Sequence, residues 1–273
     1  MLLKIALLVL VLTAGPKAGK TDPPFVEWKS AGKNAETCYV QTEMDGRMRS
    51  ISVFRYKMSR YRTDIIHAPA EASDSTSALA IRDGAIAGLN GSYFNMTTLV
   101  PTTYVKVDGV RVAGTKPNEC FRVDGVLAIK GNKIDIFPCD TLSYDSACER
   151  YEDAFAAGPV LLQGGKKLHA EWPDKGFFSK YHPRTVVGID NKGWAYLIVI
   201  DGRFKGQGEG CPMEDVVAVC EMLGLRDAIN LDGGGSCALW TEGTGVMSHP
   251  YDNHRFDHYG QRIVPNIISV KKK

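Results

Sequence analysis

A carboxylate beside three successive glycines is the feature of the sequence best suited to chemistry. Asp232 follows the apolar run 228–231 and precedes the glycines at 233–235. Glycines leave bare amides that a ligand can approach closely. A carboxylate at the end of a strand can act as an acid, a base or a nucleophile. The alternative is a tight turn in which the aspartate caps its own backbone.

A second carboxylate ends another apolar run and is followed by a guanidinium. Asp201, Gly202 and Arg203 come directly after the apolar residues 195–200. An arginine can hold phosphate or carboxylate through two parallel hydrogen bonds. The alternative is an ordinary surface ion pair after a hairpin.

A third segment joins polar amides to aromatic rings. Asn90, Gly91, Ser92, Tyr93 and Phe94 follow the short apolar run 87–89. Sugar sites need polar groups for hydroxyls and rings for apolar faces. The segment therefore indicates a place where a carbohydrate could bind.

Two other chemistries are disfavoured by their context. Residues 234–238 resemble the nucleophile elbow of serine hydrolases, but that elbow requires a helix after the serine, and the residues after Ser236 favour a strand and a turn. His249, His254 and His258 lie close together in the sequence, so metal ligation stays open. Their turn-like context favours ordinary loop hydrogen bonds, and we expect neither a metal site nor a cofactor.

The elements that must position these residues are mostly strands. Short runs rich in Val and Ile alternate with Asp-Gly and Gly-Gly turns, which predicts hairpins. The clearest helix is predicted over 213–223, with Gly224 at its C-terminal end, and a second one over 75–85. The pattern predicts a single strand-rich α+β domain over 25–270, with mixed sheets and few helices.

Composition excludes several classes of protein. The chain has 273 residues, of which 44% are hydrophobic and 23% charged, and its net charge is +2. These values are typical of a globular protein and argue against disorder and coiled coil. Because no basic stripe occurs, nucleic acid is not an expected partner.

The N-terminus predicts export. Lys4 precedes a short apolar run that ends in small residues near Ala14, as in a secretory signal peptide, and the run is too short to span a bilayer. We expect residues 1–20 to be the signal, with cleavage between about Ala14 and Thr21, and a periplasmic or secreted product. Export would permit disulfides among the seven cysteines, and the favoured pair is Cys139 with Cys148.

Taken in order, the motifs resemble the phosphodiester glycosidase family. The resemblance runs from about residue 65 to residue 270 and rests on segments 90–94, 157–159, 183–188, 199–203, 230–236 and 260–266. The segment 252–258 is similar to bacterial members. The sequence departs from the family pattern at Ser92, at Cys237 and over 96–103, which puts the identity of the substrate in question more than the reaction class.

The motifs and the resemblance together predict a site in two groups. The expected catalytic residues are Asp232, Asp201, Arg203 and Arg184, and the expected substrate-binding residues are Asn90, Gly91, Phe94, Asn230, Gly233, Gly234, Gly235, Ser236 and Arg262. Asp232 would face the anomeric carbon as base or nucleophile, with Asp201 as its partner. Asn90 and Asn230 would hold sugar hydroxyls, and the arginines and glycine amides would hold phosphate.

The expected function is that of an exported hydrolase cleaving a sugar from a glycosyl phosphodiester or a related glycoside. The expected partner is the carbohydrate or glycosyl-phosphate substrate. The alternative from another class is a non-catalytic carbohydrate-binding or envelope polysaccharide-assembly protein on the same scaffold. The carboxylates and arginines at these positions favour the enzyme, since a binding module has no need of them.

Overall fold

The computed structural model describes residues 26–173 and 175–273. The predicted signal peptide and its cleavage site lie outside the described residues. Twenty strands are found, in chain order β1 Lys29–Gly32, β2 Ala35–Met44, β3 Arg47–Lys57, β4 Tyr61–His67, β5 Asp74–Ser75, β6 Ala87–Asn90, β7 Val105–Val107, β8 Val110–Ala113, β9 Gly125–Lys130, β10 Lys133–Pro138, β11 Asp153–Ala157, β12 Val160–Gln163, β13 Lys166–Lys167, β14 Arg184–Ile189, β15 Trp194–Ile200, β16 Asp227–Asn230, β17 Leu239–Thr241, β18 Gly245–Val246, β19 Ile263–Val264 and β20 Asn266–Lys272 within those residues.

The α-helices in the described part are short. They are α1 Thr76–Arg82, α2 Tyr144–Ala147, α3 Gly176–Ser179 and α4 Met213–Met222. Two of them match the sequence prediction. The Ser75 side chain caps α1 by accepting from the Ala78 amide, and α4 ends before Gly224, which has a φ of +70°.

Three sheets and one two-stranded ribbon make up the β structure of the described residues. The largest sheet has the order β1-β2-β3-β15-β14-β16-β12-β13, and the two five-stranded sheets are β10-β9-β11-β7-β8 and β18-β17-β6-β20-β4. The strand-rich α+β fold with few helices is confirmed. Each described strand pairing is antiparallel rather than mixed. Some neighbours are joined by hairpins, such as β14 and β15, and others pair distant strands, such as β3 with β15.

Both faces of the large sheet are covered, which explains its continuous apolar strands. Leu197 and Val187 face the core shared with the two smaller sheets, whereas Ile198 and Val186 pack under α4. A strand buried on both faces reads as an unbroken apolar run. In β14 and β15 the charged residues therefore lie at or just beyond the strand ends, as Arg184 and Asp201 do.

The structure contains no disulfide among the residues it describes. All seven cysteines are free thiols, so the expected Cys139–Cys148 disulfide is not formed. Cys220 is fully buried in α4, as its apolar position predicts. Within the described residues, no helix has the length and apolar character needed to cross a membrane.

Candidate functional site

The two aspartate turns meet at one end of the large sheet. Arg184 pairs with Ile200 across β14 and β15, and Val186 pairs with Asn230 across β14 and β16. The last residues of β15 and β16 and the first residue of β14 therefore share one edge. The residues that follow β15 and β16 therefore meet at this edge.

Close packing on Pro183 holds the two turns together. A Cβ added to Gly202 would lie 2.5 Å from the Pro183 nitrogen, and one added to Gly233 would lie 2.7 Å from the Pro183 oxygen. Only glycine fits at such approaches, since real Cβ atoms do not come this close. The Asp201 and Asp232 turns are therefore neighbours across β14.

The backbone of Asp232 is pinned from the sheet that contains β6. The Asn90 amide Nδ2 donates to the Asp232 carbonyl at 2.7 Å, and the Asp232 N–H donates to the Gly91 carbonyl at 3.3 Å. A residue just after β16 of the large sheet is thus held by the end of β6 from the neighbouring sheet.

The side chain of Asp232 has a strongly shifted pKa. Burial raises the pKa of this carboxyl to about 6, while the Ser236 side chain and the guanidiniums of Arg122 and Arg262 oppose the increase. Burial disfavours the charged form, and nearby cations favour it. A carboxyl that titrates near neutral pH, in a partly exposed position, is suited to proton transfer or to nucleophilic attack.

The two predicted sugar-binding asparagines face inward. Asn90 is fully buried, and its Oδ1 accepts from the Thr185 hydroxyl at 2.8 Å and from the Ala238 amide at 3.1 Å. Asn230 is 1% exposed and donates to Tyr93, Gly158 and Leu231. Both residues therefore hold the site's framework, and we revise the expectation that they contact sugar hydroxyls.

Arg184 is also revised, because its guanidinium is used inside the protein. It is 2% exposed and donates to three backbone carbonyls, those of Cys211 at 2.9 Å, Phe177 at 2.8 Å and Lys180 at 3.0 Å. Burial lowers its pKa to about 10, so it remains charged at neutral pH. Its role in this geometry is to tie α3 and the 211 region to the start of β14.

We expect Arg184→Met to destabilise the protein while sparing the exposed site. Three carbonyls would lose their partner, and each lost hydrogen bond costs about 1 kcal/mol, so the free energy of unfolding should fall by about 3 kcal/mol. Urea unfolding measures this change. A near-unchanged unfolding free energy together with lost phosphate binding would instead return Arg184 to the role of a ligand clamp.

Arg203 is the exposed cation of the site. Its side chain reaches over the glycine turn, with Nη2 3.2 Å from where a Cβ of Gly234 would lie. Burial lowers the pKa of His182, and the positive charges of Arg184, Arg203 and Lys180 lower it further. The local electrostatic potential is therefore positive. An anion would be attracted to this surface.

Two further arginines flank Asp232. Arg262 forms a bidentate pair with Asp252, at 2.8 Å for both hydrogen bonds, and both side chains pack on the bare face of Gly235. Arg122 binds Glu119 and lies over the Tyr93 ring, 4.0 Å from its centroid. These cations are partly neutralised by carboxylates, unlike Arg203.

Asp201 is buried and its oxygens have partners. It accepts from the Ser50 hydroxyl at 2.6 Å, from the His249 amide at 2.8 Å and from His249 Nδ1 at 2.8 Å, and it is 1% exposed. The His249 ring stacks on Phe256 with centroids 3.7 Å apart. Asp201 therefore orients His249 and the loop after β18 instead of standing at the anomeric carbon as a second carboxylate.

Of the other expected substrate-binding residues, some pack against the protein core and the rest lie in the glycine turn. Phe94 packs with the apolar cluster around α1, and Gly91 is pressed against Asn266 and Phe155. Ser236 lies in the 3₁₀ turn 234–236 beside Asp232, and no helix follows it, as expected. The Gly234 amide donates to Pro183 at 3.0 Å, and the Gly233 amide acts on the Asp232 carboxylate, so the glycine amides are partly used within the turn.

Sequence reasoning missed several residues at this site. Arg122, His182 and Tyr251 lie near Asp232 or Arg203, but none belongs to a motif with a chemical signature. For His249 the sequence favours ordinary loop hydrogen bonds over metal ligation but does not identify the partner, which is Asp201. The position of His249 shortly after the glycine motif was the one available signal.

Comparisons with known proteins identify the family and support the fold. The model of the family described as "Phosphodiester glycosidase" matches residues 83–271. Among curated protein sequences, none matches the chain significantly. Among solved structures, a similar one is the zebrafish N-acetylglucosamine-1-phosphodiester alpha-N-acetylglucosaminidase catalytic domain, auto-inhibited by its pro-peptide, with a TM-score of 0.69 and 18% identity over 93% of this chain and 86% of that one.

Two further solved structures share the fold. A hypothetical protein from Synechocystis has a TM-score of 0.68 and 13% identity, over 92% of this chain and 64% of that one. A protein of Burkholderia pseudomallei K96243, solved under the name "Putative exported protein", has a TM-score of 0.62 and 15% identity, over 83% of this chain and 74% of that one.

Proposed function

The chain belongs to the phosphodiester glycosidase family, and we propose that it is a hydrolase that releases a sugar from a glycosyl phosphodiester by breaking the bond between the anomeric carbon and oxygen. The observation that carries this proposal is Asp232. Its carboxyl has a pKa raised to about 6 and lies one residue from the glycine turn that Arg203 overhangs. The zebrafish relative, which acts on a sugar phosphodiester according to its name, supports the substrate class.

A phosphodiester substrate makes a particular demand on the site. The leaving group is a phosphate monoester, whose second ionisation has a pKa of about 6, so it departs with little need for a strong acid. It does need positive charge where negative charge develops. Arg203 is exposed and suited to that task, with Arg262 and Arg122 as nearby cations.

Asp232 acts at the sugar in this proposal. Its ionised carboxylate is either the base for the attacking water or the nucleophile that forms a glycosyl–enzyme ester. Asp201 supports it from a distance by orienting His249. The sugar hydroxyls meet other groups than Asn90, whose amide nitrogen and oxygen are both hydrogen-bonded within the protein. Asn230 is buried and its Nδ2 donates within the protein, while its Oδ1 has no partner among the described residues.

The rate should increase with pH through about 6. Burial favours the protonated form of Asp232, and either role requires the ionised form, so kcat/KM rises as the proton is lost. Because the Arg122 guanidinium lowers this pKa, Arg122→Gln should move the midpoint of the pH–rate profile upward. A flat profile between pH 5 and 7, or a midpoint moved downward, would contradict the assignment.

Water labelled with heavy oxygen tests the reaction class. Cleavage of the carbon–oxygen bond should put the label on the released sugar, whereas attack at phosphorus would put it on the phosphate. Mass spectrometry of the two products distinguishes these results. Label on the phosphate would make the protein a phosphodiesterase and would remove the role given to Asp232.

One observation favours a second candidate, a carbohydrate-binding protein without catalysis. Of the described carboxylates at the glycine turn, Asp232 is the one available for chemistry, since Asp201 is buried and bonded and Asp252 is paired with Arg262. A panel of sugar-1-phosphodiesters assayed for released reducing sugar separates the two functions. Tight glycan binding without release from any of them would favour the binding protein.

Export completes the proposal, in line with the name given to the Burkholderia relative. We expect the mature chain to begin between Ala14 and Thr21, because the apolar run of the signal ends there. N-terminal sequencing of the protein recovered outside the cytoplasm measures this. An intact Met1 on protein recovered from the cytoplasm would contradict it.

A further inference from the structure

Arg203 differs from the other two cations of the site in how it is held. Arg262 and Arg122 each pair with a carboxylate. Among the residues that the structure describes, no hydrogen bond or ion pair reaches the Arg203 side chain, which is exposed. Its backbone has a φ of +72°, a conformation uncommon for a residue with a side chain, so the turn directs the side chain specifically.

The contact that remains is with an aromatic ring. The guanidinium carbon of Arg203 lies over the Tyr251 ring, 4.9 Å from its centroid. Tyr251 is itself braced, with Phe204 at 5.3 Å and His254 at 4.7 Å between ring centroids. The ring is thus a fixed support beside the glycine turn.

A ring and a carboxylate support a guanidinium with different consequences. A carboxylate takes up donors and cancels charge, whereas a ring attracts the cation through its face and leaves the N–H groups free. The loop that carries Tyr251 is fastened next to Asp232, because Asp252 binds Arg262. The same loop therefore carries the ring that supports Arg203 and the carboxylate that holds Arg262 near Asp232.

We propose that Tyr251 is a positioning residue that holds Arg203 over the glycine turn with its charge uncompensated, ready for the phosphate of the substrate. The inference rests on the proposed function, since it assumes that an anion binds there. It assigns no chemistry to Tyr251 itself. The face of the ring is what matters, and the hydroxyl is dispensable.

The test compares Tyr251→Ala with the conservative variant Tyr251→Phe. Binding of inorganic phosphate is measured by calorimetry, and kcat and KM are measured on a sugar-1-phosphodiester and on an aryl glycoside. Tyr251→Ala should weaken phosphate binding and lower phosphodiester kcat/KM by about 5-fold, the upper end for a cation–π contact of an exposed cation. The aryl glycoside should be affected by less than about 3-fold, and Tyr251→Phe should behave as wild type.

Two controls keep the result specific. Tyr259→Ala removes a ring of the same loop that is 86% exposed and should change neither binding nor rate. In Arg203→Ala the further change Tyr251→Ala should have no additional effect on phosphate binding, because coupled residues are not additive.

Several results would overturn the inference. These are an equal loss on both substrates, a Tyr251→Phe variant as weak as Tyr251→Ala, an additive double variant, or no phosphate binding by the wild-type protein. Phosphate binding that depends on Tyr251, in a protein that releases no sugar, would uphold the inference while the proposed hydrolysis fails.

Discussion

Replacing Asp232 with asparagine should lower kcat on a sugar-1-phosphodiester by about 10³-fold while the fold is preserved. Positioned proton transfer contributes roughly 10²- to 10⁴-fold to a rate, and the amide can neither accept the proton nor attack the sugar. The substitution is nearly isosteric, and the backbone contacts to Asn90 and Gly91 do not involve the side chain. Steady-state kinetics and thermal unfolding measure the two effects.

The matched control is Glu221→Gln, which makes the same chemical change at an exposed position of α4. It should leave kcat unchanged. The Asp232 variant should also be more stable than wild type above pH 6, since an uncharged group replaces a carboxylate whose ionised form is disfavoured by burial. Retention of more than about a tenth of wild-type kcat by Asp232→Asn would remove Asp232 from the reacting centre.

Arg203→Ala should lower kcat/KM on phosphodiesters far more than on aryl glycosides. We expect kcat/KM to fall by about 10²- to 10³-fold on phosphodiesters, the range seen when one preorganised donor is removed. The loss on an activated aryl glycoside should be small, because that substrate has no phosphate to hold. The ratio of the two losses is the quantity to measure.

Arg60→Ala is the control for a general effect of charge. Arg60 is exposed after β3, next to Met58, whose amide bonds to Gly193 at the β14–β15 turn, so it lies at the opposite end of the sheet. It should leave both substrates unaffected. Equal losses on the two substrates in Arg203→Ala would show that Arg203 supports the fold rather than the phosphate.

The sequence was informative about the scaffold because apolar runs and turn residues are local signals. The hairpin of β14 and β15, the helix α4 and the meeting of the Asp201 and Asp232 turns could all be predicted from such runs. The pattern of apolar residues along a strand and the residue types of a turn can be interpreted without knowing which distant residues pack against them. The prediction of mixed sheets failed because the direction of each pairing depends on which distant strands pair, and local signals do not contain that information.

Side-chain direction is where prediction from sequence fails. Asn90, Asn230 and Arg184 have the residue types of ligand groups, but their partners are Thr185, Gly158 and Cys211, which are remote in the chain. A buried polar group must be satisfied by whatever lies near it. Arg122 was missed for the converse reason, since its place beside Asp232 arises only when a separate sheet packs against the first.

The hydrogen bonds between the Asp232 backbone and Asn90 and Gly91 allow motion at the site to be measured. The Asp232 amide hydrogen is protected by a carbonyl of the neighbouring sheet, so it can exchange with solvent deuterium only when the two sheets part at this edge. Its exchange rate therefore measures the free energy of that opening. A ligand bound across the edge would slow this amide by the factor with which it favours the closed state, including a ligand that is never turned over.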